Sequence, residues 1–423
     1  MLQVSYIREN KEAVINGLKI RNISELDIVD EVIVLDEQRR KVQAELDNTL
    51  SESNKLSKEI GQLYKSGEAA KANELKSQTS ALKDKEKVLN ENLKEVQADL
   101  QEKLTQIPNI PHPTVPPGKS DEDNQVESQE GIIPNLTDDA KPHWELAATY
   151  DLIDFELGVK IAGAGFPVYK NQGARLQRAL INYFLDKNMA AGYQEYFLPH
   201  VVNEASGFGT GQLPDKEGQM YHMEKDDLYM IPTGEVPLVN CFRNEILKES
   251  DLPIKATTHT PCFRREAGSY GKHVRGLNRL HQFDKVEIIQ IAKPADSYAI
   301  LDEMVSHVGS ILKELGLPYR ILRLCGGDIG FTSALTFDFE VYSTAQERWL
   351  EVSSISNCEA YQTNRLKLRY RDENKKTQLC HALNGSSLAL PRILAALLEN
   401  NQTSDGIKIP EALVPYTGFD IIK

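Results

Sequence analysis

A segment near the middle of the chain groups cationic, anionic and aromatic side chains. Residues 260–266 predict a strand that enters a loop, and alternation along a strand places Arg264 and Glu266 on one face. A return strand is predicted over 279–287, and the residues on one of its faces are His281, Phe283, Lys285 and Glu287. Such a hairpin can hold a ligand that is anionic, aromatic and cationic. The alternative is a surface hairpin with an ion pair, which stabilises a protein little.

The loop inside this hairpin favours the binding interpretation. Residues 267–278 contain three glycines together with Lys272, His273 and Arg275. The F-R-x-E pattern is a weak signal when taken alone. A long basic loop between two strands is more unusual, so we treat the combination as a candidate binding site.

Further carboxylates lie on two later strand-like segments. Strict alternation over 336–341 places Asp338 and Glu340 on one face. The next segment, 349–354, carries Glu351 and Ser354, which have opposite parity on an ideal strand. We therefore expect a β-bulge or a strand end between Glu351 and Ser354.

Apolar repeats upstream predict a separate helical module. The two series repeat every seven residues and flank a turn at 64–68; their members are Ile28, Leu35, Val42, Leu56 and Leu63, then Leu75, Leu82, Leu89 and Val96. This pattern predicts an antiparallel helical hairpin, a coiled coil, over about 28–104. The pattern alone favours a dimerisation or spacer coiled coil over a ligand-binding arm, because heptads specify packing.

The helical pattern ends in a proline-rich segment, 107–118, whose five prolines exclude helix and inner strand. An acidic stretch follows, and we expect it to be solvated. From about Leu136 onward, helical and strand-like segments alternate without repeats, which predicts one large α+β domain. The expected organisation is therefore 1–106 as an N-terminal domain, 107–135 as a proline-rich and acidic linker, and 136–423 as the α+β domain.

Bulk composition sets outer limits. The chain has 423 residues and a net charge of −13; the length suggests two domains, and the charge argues mildly against a nucleic-acid partner. Local basic stretches can nevertheless bind a polyanion. The five cysteines are widely spaced and lack C-x-x-C, so a cytoplasmic protein is expected. No signal peptide or membrane span is predicted, since no apolar run approaches ~18 residues.

The motifs resemble those of class II aminoacyl-tRNA synthetases. Residues 263–266, the loop and Arg279 resemble motif 2; residues 192–199 resemble motif 1; residues 384–392 resemble motif 3. Residues 231–237 are similar to the T-x-E serine-binding loop. The sequences of 267–271 and 281–287 resemble those of the seryl enzymes in particular. The resemblance implies an α+β fold with an antiparallel sheet flanked by helices, preceded by the helical hairpin. It further implies that 1–106 is a tRNA-binding domain and that 136–423 is the class II catalytic domain.

Roles follow from this resemblance residue by residue. The implied catalytic residues are Arg264, Glu351 and Arg392, with Glu351 also holding Mg²⁺. The implied ATP-binding set is Arg264, Arg265, Glu266, Leu280, Phe283, Glu351, Val352, Ser353, Ser354 and Arg392. The implied serine-binding set is Thr233, Gly234, Glu235, Glu287, Asn384 and Ser386. The implied tRNA contacts are Arg39, Arg40, Lys41, Lys55, Lys58, Lys65, Lys272 and Arg275.

The implied reaction is activation of L-serine with ATP, followed by transfer of the seryl group to tRNA(Ser), and to tRNA(Sec) where it is present. Motif 1 implies a homodimer. Three residues depart from the common seryl pattern: Ser387 and Pro391 stand where glycine is usual, and Gly234 where alanine is frequent. The alternative is a paralogue that binds or adenylates an amino acid without charging tRNA. A purely structural coiled-coil protein would leave the C-terminal motifs unexplained.

Overall fold

The computed structural model describes residues 1–136, 140–266 and 274–423. The chain divides into two compact units, Met1–Lys19 with Ile23–Pro108 and Ile20–Asn22 with Asn109–Lys423. The helices in the described residues are α1 (Val4–Glu9), α2 (Lys11–Ile20), α3 (Ile28–Lys65), α4 (Ala69–Gln106), α5 (His143–Thr149), α6 (Phe155–Ile161), α7 (Asn171–Ala190), α8 (Glu204–Thr210), α9 (Glu235–Asn240), α10 (Ser297–Glu314), α11 (Ala360–Leu366), α12 (Leu390–Asn400) and α13 (Val414–Thr417). None of them is long and apolar enough to cross a membrane.

The strands in the described residues all belong to the second unit. They are β1 (Gln125–Glu130), β2 (Ile153–Asp154), β3 (Val168–Tyr169), β4 (Gln194–Glu195), β5 (Val201–Asn203), β6 (His222–Met223), β7 (Leu228–Met230), β8 (Ile246–Lys248), β9 (Ile254–Phe263), β10 (Gln282–Ala292), β11 (Tyr319–Arg323), β12 (Leu335–Ser343), β13 (Arg348–Asn357), β14 (Arg369–Arg371), β15 (Thr377–Leu379), β16 (His381–Ala389), β17 (Gln402–Thr403), β18 (Gly406–Lys408) and β19 (Ile421–Ile422).

The first unit is built around a helical hairpin. α3 and α4 have 38 residues each, and Gly67 between them adopts φ +81°, a conformation that glycine takes without a steric penalty. Leu46 of α3 clusters with Leu89 and Leu93 of α4, and Val42 packs against them; Val42 and Leu89 belong to the two apolar repeats. The predicted antiparallel hairpin is confirmed.

A polar residue in the apolar stripe of α3 is accommodated within its own helix. Thr49 stands where the seven-residue repeat has a gap, and it is buried. Its hydroxyl donates to the carbonyl of Glu45 at 2.8 Å, a bond that helical threonines often make. The gap therefore leaves no unsatisfied donor in the seam.

The second unit is organised by one large sheet. Within the described residues it has eight strands in the order β1-β11-β12-β13-β16-β10-β9-β4, and every pairing is antiparallel except that of β4 with β9. The helices α7, α10 and α12 pack on one face and form the main core with residues such as Val286 and Ile288 of β10. The alternate residues of β10 therefore face the other side of the sheet, which is the side of the candidate binding residues Lys285 and Glu287.

The segment expected to be a linker is partly structured. Gln125–Glu130 form the edge strand β1, paired with β11. The sequence did not reveal this strand because its residues are almost all polar, as exposed edge strands commonly are. In the proline-rich part, the main-chain N–H groups of Asn109 and His112 donate to the carbonyls of Phe331 and Ala334, so the chain from Asn109 onward is part of the second unit.

Candidate active site

A pocket of about 280 Å³ opens between the β9–β10 hairpin, the middle of β13 and the start of α12. The residues predicted from sequence that line it are Arg264, Glu266, Leu280, Phe283, Glu351, Val352, Ser353, Ser354, Ser386 and Arg392. The lining residues to which no role was assigned from sequence are Asn278, Arg279, Lys285, Ala389 and Pro391. The structure thus brings together side chains that are more than 120 positions apart in the chain.

Arg264 and Glu266 reach the pocket by a different route from the one expected. The strand was expected to continue through Glu266, but β9 ends at Phe263, and Glu266 adopts φ +47°, which is incompatible with a strand. The guanidinium of Arg264 lies over the ring of Phe283, 5.3 Å from its centroid. Glu266 forms an ion pair with Arg279.

The predicted β-bulge is confirmed. Phe339 pairs with Ser353 and Glu340 pairs with Glu351, so Val352 is the extra residue on β13. The bulge corrects the parity, and Glu351 and Ser354 both line the pocket. Without that extra residue, the two side chains would lie on opposite faces of the sheet.

Asp338 adds a second carboxylate next to this bulge. It pairs with Ser354 across β12 and β13, and the Ser354 hydroxyl donates to its carboxylate. Burial, and then the charge of Glu351, raise the pKa of Asp338 well above its usual range. Within the described residues, its Oδ1 atom is buried and has no hydrogen-bond partner. A buried acceptor of this kind is a candidate for binding a cation or a donor group.

Arg392 is held in a defined orientation in the first turn of α12. Its Nε donates to the carbonyl of Asn278 at 3.0 Å, and its Nη1 donates to the carbonyl of Glu351 at 2.8 Å. The Glu351 carboxylate lies 3.5 Å from the same Nη1. The arginine therefore joins two walls of the pocket and retains N–H groups that can contact a ligand.

The buried carboxylates of Glu235 and Glu287 lie next to the pocket. Glu235 begins α9, and burial, followed by the charge of Glu287, raises its pKa to about 7. Burial also raises the pKa of Glu287, while Lys285, whose Nζ lies 2.7 Å from Glu287 Oε2, opposes that rise. The hydroxyl of Thr233 donates to Glu287 Oε2 at 3.2 Å. This arrangement has the negative charge needed to hold a cationic group.

Two amides fix the orientation of Glu235. Gln362 of α11 donates to its Oε1 at 2.6 Å, and Asn384 of β16 donates to the same oxygen at 2.8 Å. The sequence motifs include Asn384 but not Gln362. Nothing in the local pattern around Gln362 marks it, because its partner is 127 positions away.

The departures from the common motif have structural explanations. The side chain of Ser387 is on the helix side of the sheet, where its hydroxyl donates to Asn188 Oδ1 at 2.8 Å, and Ser387 is absent from the pocket lining. At Gly234, a Cβ atom would lie 3.0 Å from Thr260 Oγ1 and 3.1 Å from Thr258 Cγ2. Pro391 is at the start of α12, a position where proline is favoured.

The remaining predicted residues lie away from this pocket. Arg265 is exposed and does not line it. Arg39 forms two hydrogen bonds with the buried carboxylate of Asp36. The guanidinium of Arg275 lies 4.8 Å from the centroid of the Trp144 ring. The predicted tRNA contacts that are exposed on α3 are Arg40, Lys41, Lys55, Lys58 and Lys65. Lys272 falls within 267–273, outside the described residues.

Cysteine and metal-ligand clusters do not contribute to the described site. All five cysteines are free, and four of them are buried. Burial raises the pKa of Cys358 to about 12, which keeps this thiol protonated. In the three described ranges, no group of three or more His, Cys, Asp and Glu side chains is arranged to hold a metal ion.

Comparison with known proteins agrees with this geometry. Residues 219–401 match the tRNA synthetase class II core domain (G, H, P, S and T), and residues 1–111 match the seryl-tRNA synthetase N-terminal domain. The chain belongs to the seryl-tRNA synthetase family. The fold and family predicted from the motifs are confirmed.

Members of the family resemble the chain over its full length. The serine–tRNA ligase of Salinibacter ruber is 50% identical to this chain, and the match covers 99% of this chain and 98% of the relative. The serine–tRNA ligase of Akkermansia muciniphila is 47% identical, and the match covers 100% of this chain and 99% of the relative. The seryl-tRNA synthetase of Pyrococcus horikoshii, solved in complex with ATP, matches with a TM-score of 0.92 and 33% identity over 100% and 99%. The cytoplasmic enzyme of Naegleria fowleri, in complex with AMP, matches with a TM-score of 0.87 and 28% identity over 100% and 99%.

The raised pKa of Glu235 predicts a specific pH dependence of stability. Its pKa rises from 4.5 to about 7 on folding, so the folded state binds more protons than the unfolded state in that window. The contribution of Glu235 to stability is fully present below its unfolded-state pKa and is lost as the pH rises through its folded-state pKa. Relative to Glu235→Gln, the wild type should lose up to about 3 kcal/mol of unfolding free energy across the window. Urea unfolding at a series of pH values measures this difference.

Glu224→Gln is the matched control for Glu235→Gln, because Glu224 is exposed. Its stability should follow the wild-type curve at every pH. If the Glu235→Gln curve also ran parallel to the wild type, the desolvation of Glu235 would be contradicted.

Proposed function

We propose that this chain is a serine–tRNA ligase. It activates L-serine with ATP, releasing pyrophosphate, and transfers the seryl group to the 3′ end of tRNA(Ser), and of tRNA(Sec) where that tRNA is present. The observation that carries the proposal is the juxtaposition of the buried Glu235–Glu287 pair with a pocket that presents Arg264, Glu351 and Arg392. The carboxylate pair is suited to the ammonium group of an amino acid, and the pocket is suited to the phosphates of a nucleotide.

The chemistry of the pocket walls supports the proposal that ATP binds there. Arg264 binds the α-phosphate, because a planar guanidinium can hold two phosphate oxygens and remains charged. Phe283 and Glu266 contact the adenine ring and its amino group, and Arg392 contacts the distal phosphates. Because Arg264 lies over the Phe283 ring and Arg279 pairs with Glu266, these side chains exchange partners when the nucleotide binds.

The residues at the β13 bulge fit a magnesium ion. The side chain of Glu351 is 51% exposed, Ser354 lies beside it, and Asp338 Oδ1 has no partner in the described residues. Hard oxygen donors combined with substrate phosphates are the ligands that Mg²⁺ prefers. We propose that Glu351 and Ser354 hold the ion, with Asp338 supporting Ser354. When bound, Mg²⁺ neutralises phosphate charge.

Serine is recognised by groups that have lost their water. Glu235 and Glu287 bind its ammonium, and this positive charge favours the ionised form of both carboxyls. Thr233, Ser386 and Asn384 are proposed to hydrogen-bond its hydroxyl and carboxylate. A site that hydrogen-bonds a hydroxyl strongly rejects the analogue that lacks it, so alanine is excluded by unpaired polar groups.

The chemistry of activation relies on positioning and charge. The serine carboxylate oxygen attacks the α-phosphorus and the bond to pyrophosphate breaks, giving seryl-adenylate. Arg264 stabilises the charge that develops on the α-phosphate. In the second step, the terminal ribose hydroxyl of tRNA attacks the acyl carbon and AMP leaves. No protein side chain is assigned as the base, and an adenylate oxygen accepts the proton.

ATP–pyrophosphate exchange tests the activation step. With Mg²⁺ and without tRNA, exchange is expected with serine and with no other amino acid. Arg264→Ala should lower exchange at least about 100-fold, because it removes a donor to the charge that develops. Arg264→Lys keeps the charge but loses the planar fork, so its exchange rate should lie between those of the wild type and Arg264→Ala. Exchange with a different amino acid alone, or with none, would overturn the assignment to serine.

The helical hairpin is proposed to bind the body of the tRNA. Lys55 and Lys58 are exposed on α3, and phosphate contacts by such lysines depend on salt. Arg39 is a weaker candidate, because it already pairs with the buried Asp36. We propose a cytoplasmic location, which the five free cysteines support.

Charge reversal on the hairpin separates tRNA binding from activation. Lys55→Glu with Lys58→Glu should raise the KM for tRNA about tenfold or more and make charging less sensitive to salt. Exchange with serine should be unchanged in the same variant. Lys408→Glu changes an exposed lysine outside the hairpin and should leave tRNA charging as in the wild type. An unchanged KM for tRNA in the double variant would exclude this face of α3 as a tRNA contact.

The motif 1 segment is proposed to form a homodimer interface. Phe197 within it is 88% exposed in the single chain, so its ring is accessible to a second copy at the segment that resembles motif 1. Phe197→Asp should shift the molecule toward the monomer in sedimentation velocity. Ile132→Asp alters a side chain that is 89% exposed outside this segment and should remain dimeric. A monomeric wild type, or a dimeric Phe197→Asp, would contradict the proposed interface.

A further inference from the structure

A fully buried carboxylate, that of Glu399 in α12, collects hydrogen bonds from several elements of the second unit. The main-chain N–H of His143 donates to its Oε1 at 2.9 Å, and Nδ1 of the same histidine lies 2.6 Å from that oxygen. Gln346 Nε2 donates to Oε1 at 2.9 Å, and the Ser343 hydroxyl donates to Oε2. A buried charge needs such partners, so Glu399 fixes the side chains around it.

The other ring nitrogen of His143 contacts the segment that follows the motif 2 loop. The main-chain N–H of Leu277 donates to His143 Nε2 at 2.8 Å. Because Nε2 accepts, the ring proton is on Nδ1, where it is donated to Glu399. The imidazole therefore connects the buried carboxylate to the backbone of Leu277, with Nδ1 as the donor and Nε2 as the acceptor.

Residues 275–277 fit closely against α5. Gly276 adopts φ +67°, and a Cβ atom at this position would lie 2.2 Å from His143 Nε2, so a side chain would prevent the contact. The preceding residue, Arg275, lies over the ring of Trp144 at 4.8 Å. Neighbouring residues of one segment thus pack on neighbouring residues of α5.

The same network reaches the nucleotide pocket through Asn278. Its side chain donates to Gln346 Oε1 at 2.9 Å, and Gln346 in turn donates to Glu399. Its carbonyl accepts from Arg392 Nε at 3.0 Å. Arg392 and Glu399 are seven residues apart on α12, about two helical turns, and therefore lie on the same face. The hydrogen bonds through Gln346 and Asn278 therefore connect Glu399 at one end of α12 to Arg392 at the other.

We propose that His143 and Glu399 are positioning residues for ATP. By holding Leu277 and Asn278 in place, they orient Arg392 at the pocket wall without touching the substrate. The inference rests on the proposed function, since ATP is the ligand that Arg392 would meet. It assigns a role to two residues that are remote from the nucleotide and that no motif singled out.

Two substitutions of His143 separate its two hydrogen bonds. The amide of glutamine places an acceptor near the position of Nε2, whereas the amide of asparagine places a donor near that of Nδ1. His143→Asn keeps the bond to Glu399 but loses that to Leu277, and should raise the KM for ATP about five- to tenfold. His143→Gln keeps the bond to Leu277, while Glu399 stays linked to Asn278 through Gln346, so the KM for ATP should stay within about twofold of the wild type. The KM for serine should be unchanged in both variants.

A merely structural histidine predicts a different result. Equal changes in the KM for ATP in the two variants, or no change in either, would overturn the inference, because each variant loses one buried hydrogen bond. Melting temperatures measured in parallel show whether the two variants are equally stable. A wild-type chain that exchanges with no amino acid would instead remove the proposed function itself, so the two failures are distinguishable.

A second pair of variants keeps the inference testable if changes at His143 prevent folding. Gln346 is only partly buried, and Gln346→Leu breaks the connection between Glu399 and Asn278. It should raise the KM for ATP severalfold. Gln43→Leu is the matched control, since Gln43 is also partly buried and its side chain donates to Asp47 Oδ1 within α3; its KM for ATP should be that of the wild type. A Gln346→Leu enzyme with a wild-type KM for ATP would contradict the proposed network.

Discussion

The carboxyl groups of Glu235 and Glu287 are buried close to one another, and burial raises the pKa of both. Placing like charges together away from water is unfavourable unless donors and a counter-charge surround them. Lys285 supplies the counter-charge in the free chain, and Thr233, Gln362 and Asn384 supply donors. The proposed ammonium ligand would therefore bind with little reorganisation of the protein, because the groups around it are already oriented.

These donors can converge because of the register of the central sheet. Glu287 of β10 pairs with Thr258 of β9 on one side and with Ser386 of β16 on the other. Side chains opposite one another in adjacent strands share a face, so the proposed ammonium and hydroxyl ligands meet without any loop having to be folded over them. On β13 the bulge at Val352 serves the same end, since it returns Glu351 to the face that Ser354 occupies.

α12 links the sheet to a group proposed to contact phosphate. Its first turn carries Arg392, whose guanidinium is held by the carbonyls of Asn278 and Glu351, and its last turn carries Glu399, buried among hydrogen-bond donors. A helix is stiff over this length, so constraints at one end are transmitted to the other. The active site is therefore held by main-chain carbonyls and buried polar pairs, and the exposed ends of the side chains remain available to ligand.

The sequence by itself determined the family, the helical hairpin, the α+β class and most of the pocket-lining residues. These features depend on residue identity at short spacing or on periodicity along one element: the heptads of α3 and α4, the parity conflict between Glu351 and Ser354, and the F-R-x-E segment of the hairpin. Strand parity also explains why Ser387 is compatible with the site, since it faces α7 while Ser386 faces the pocket.

Only the tertiary structure decided which polar groups are partners. Gln362 and Glu235 are 127 positions apart, and His143 and Glu399 are 256 apart. It also showed that β1 is the sheet edge within the expected linker, and that Arg39 is engaged by Asp36. Pairings of this kind leave no local periodicity, because each residue satisfies its partner only after the strands and helices between them have packed.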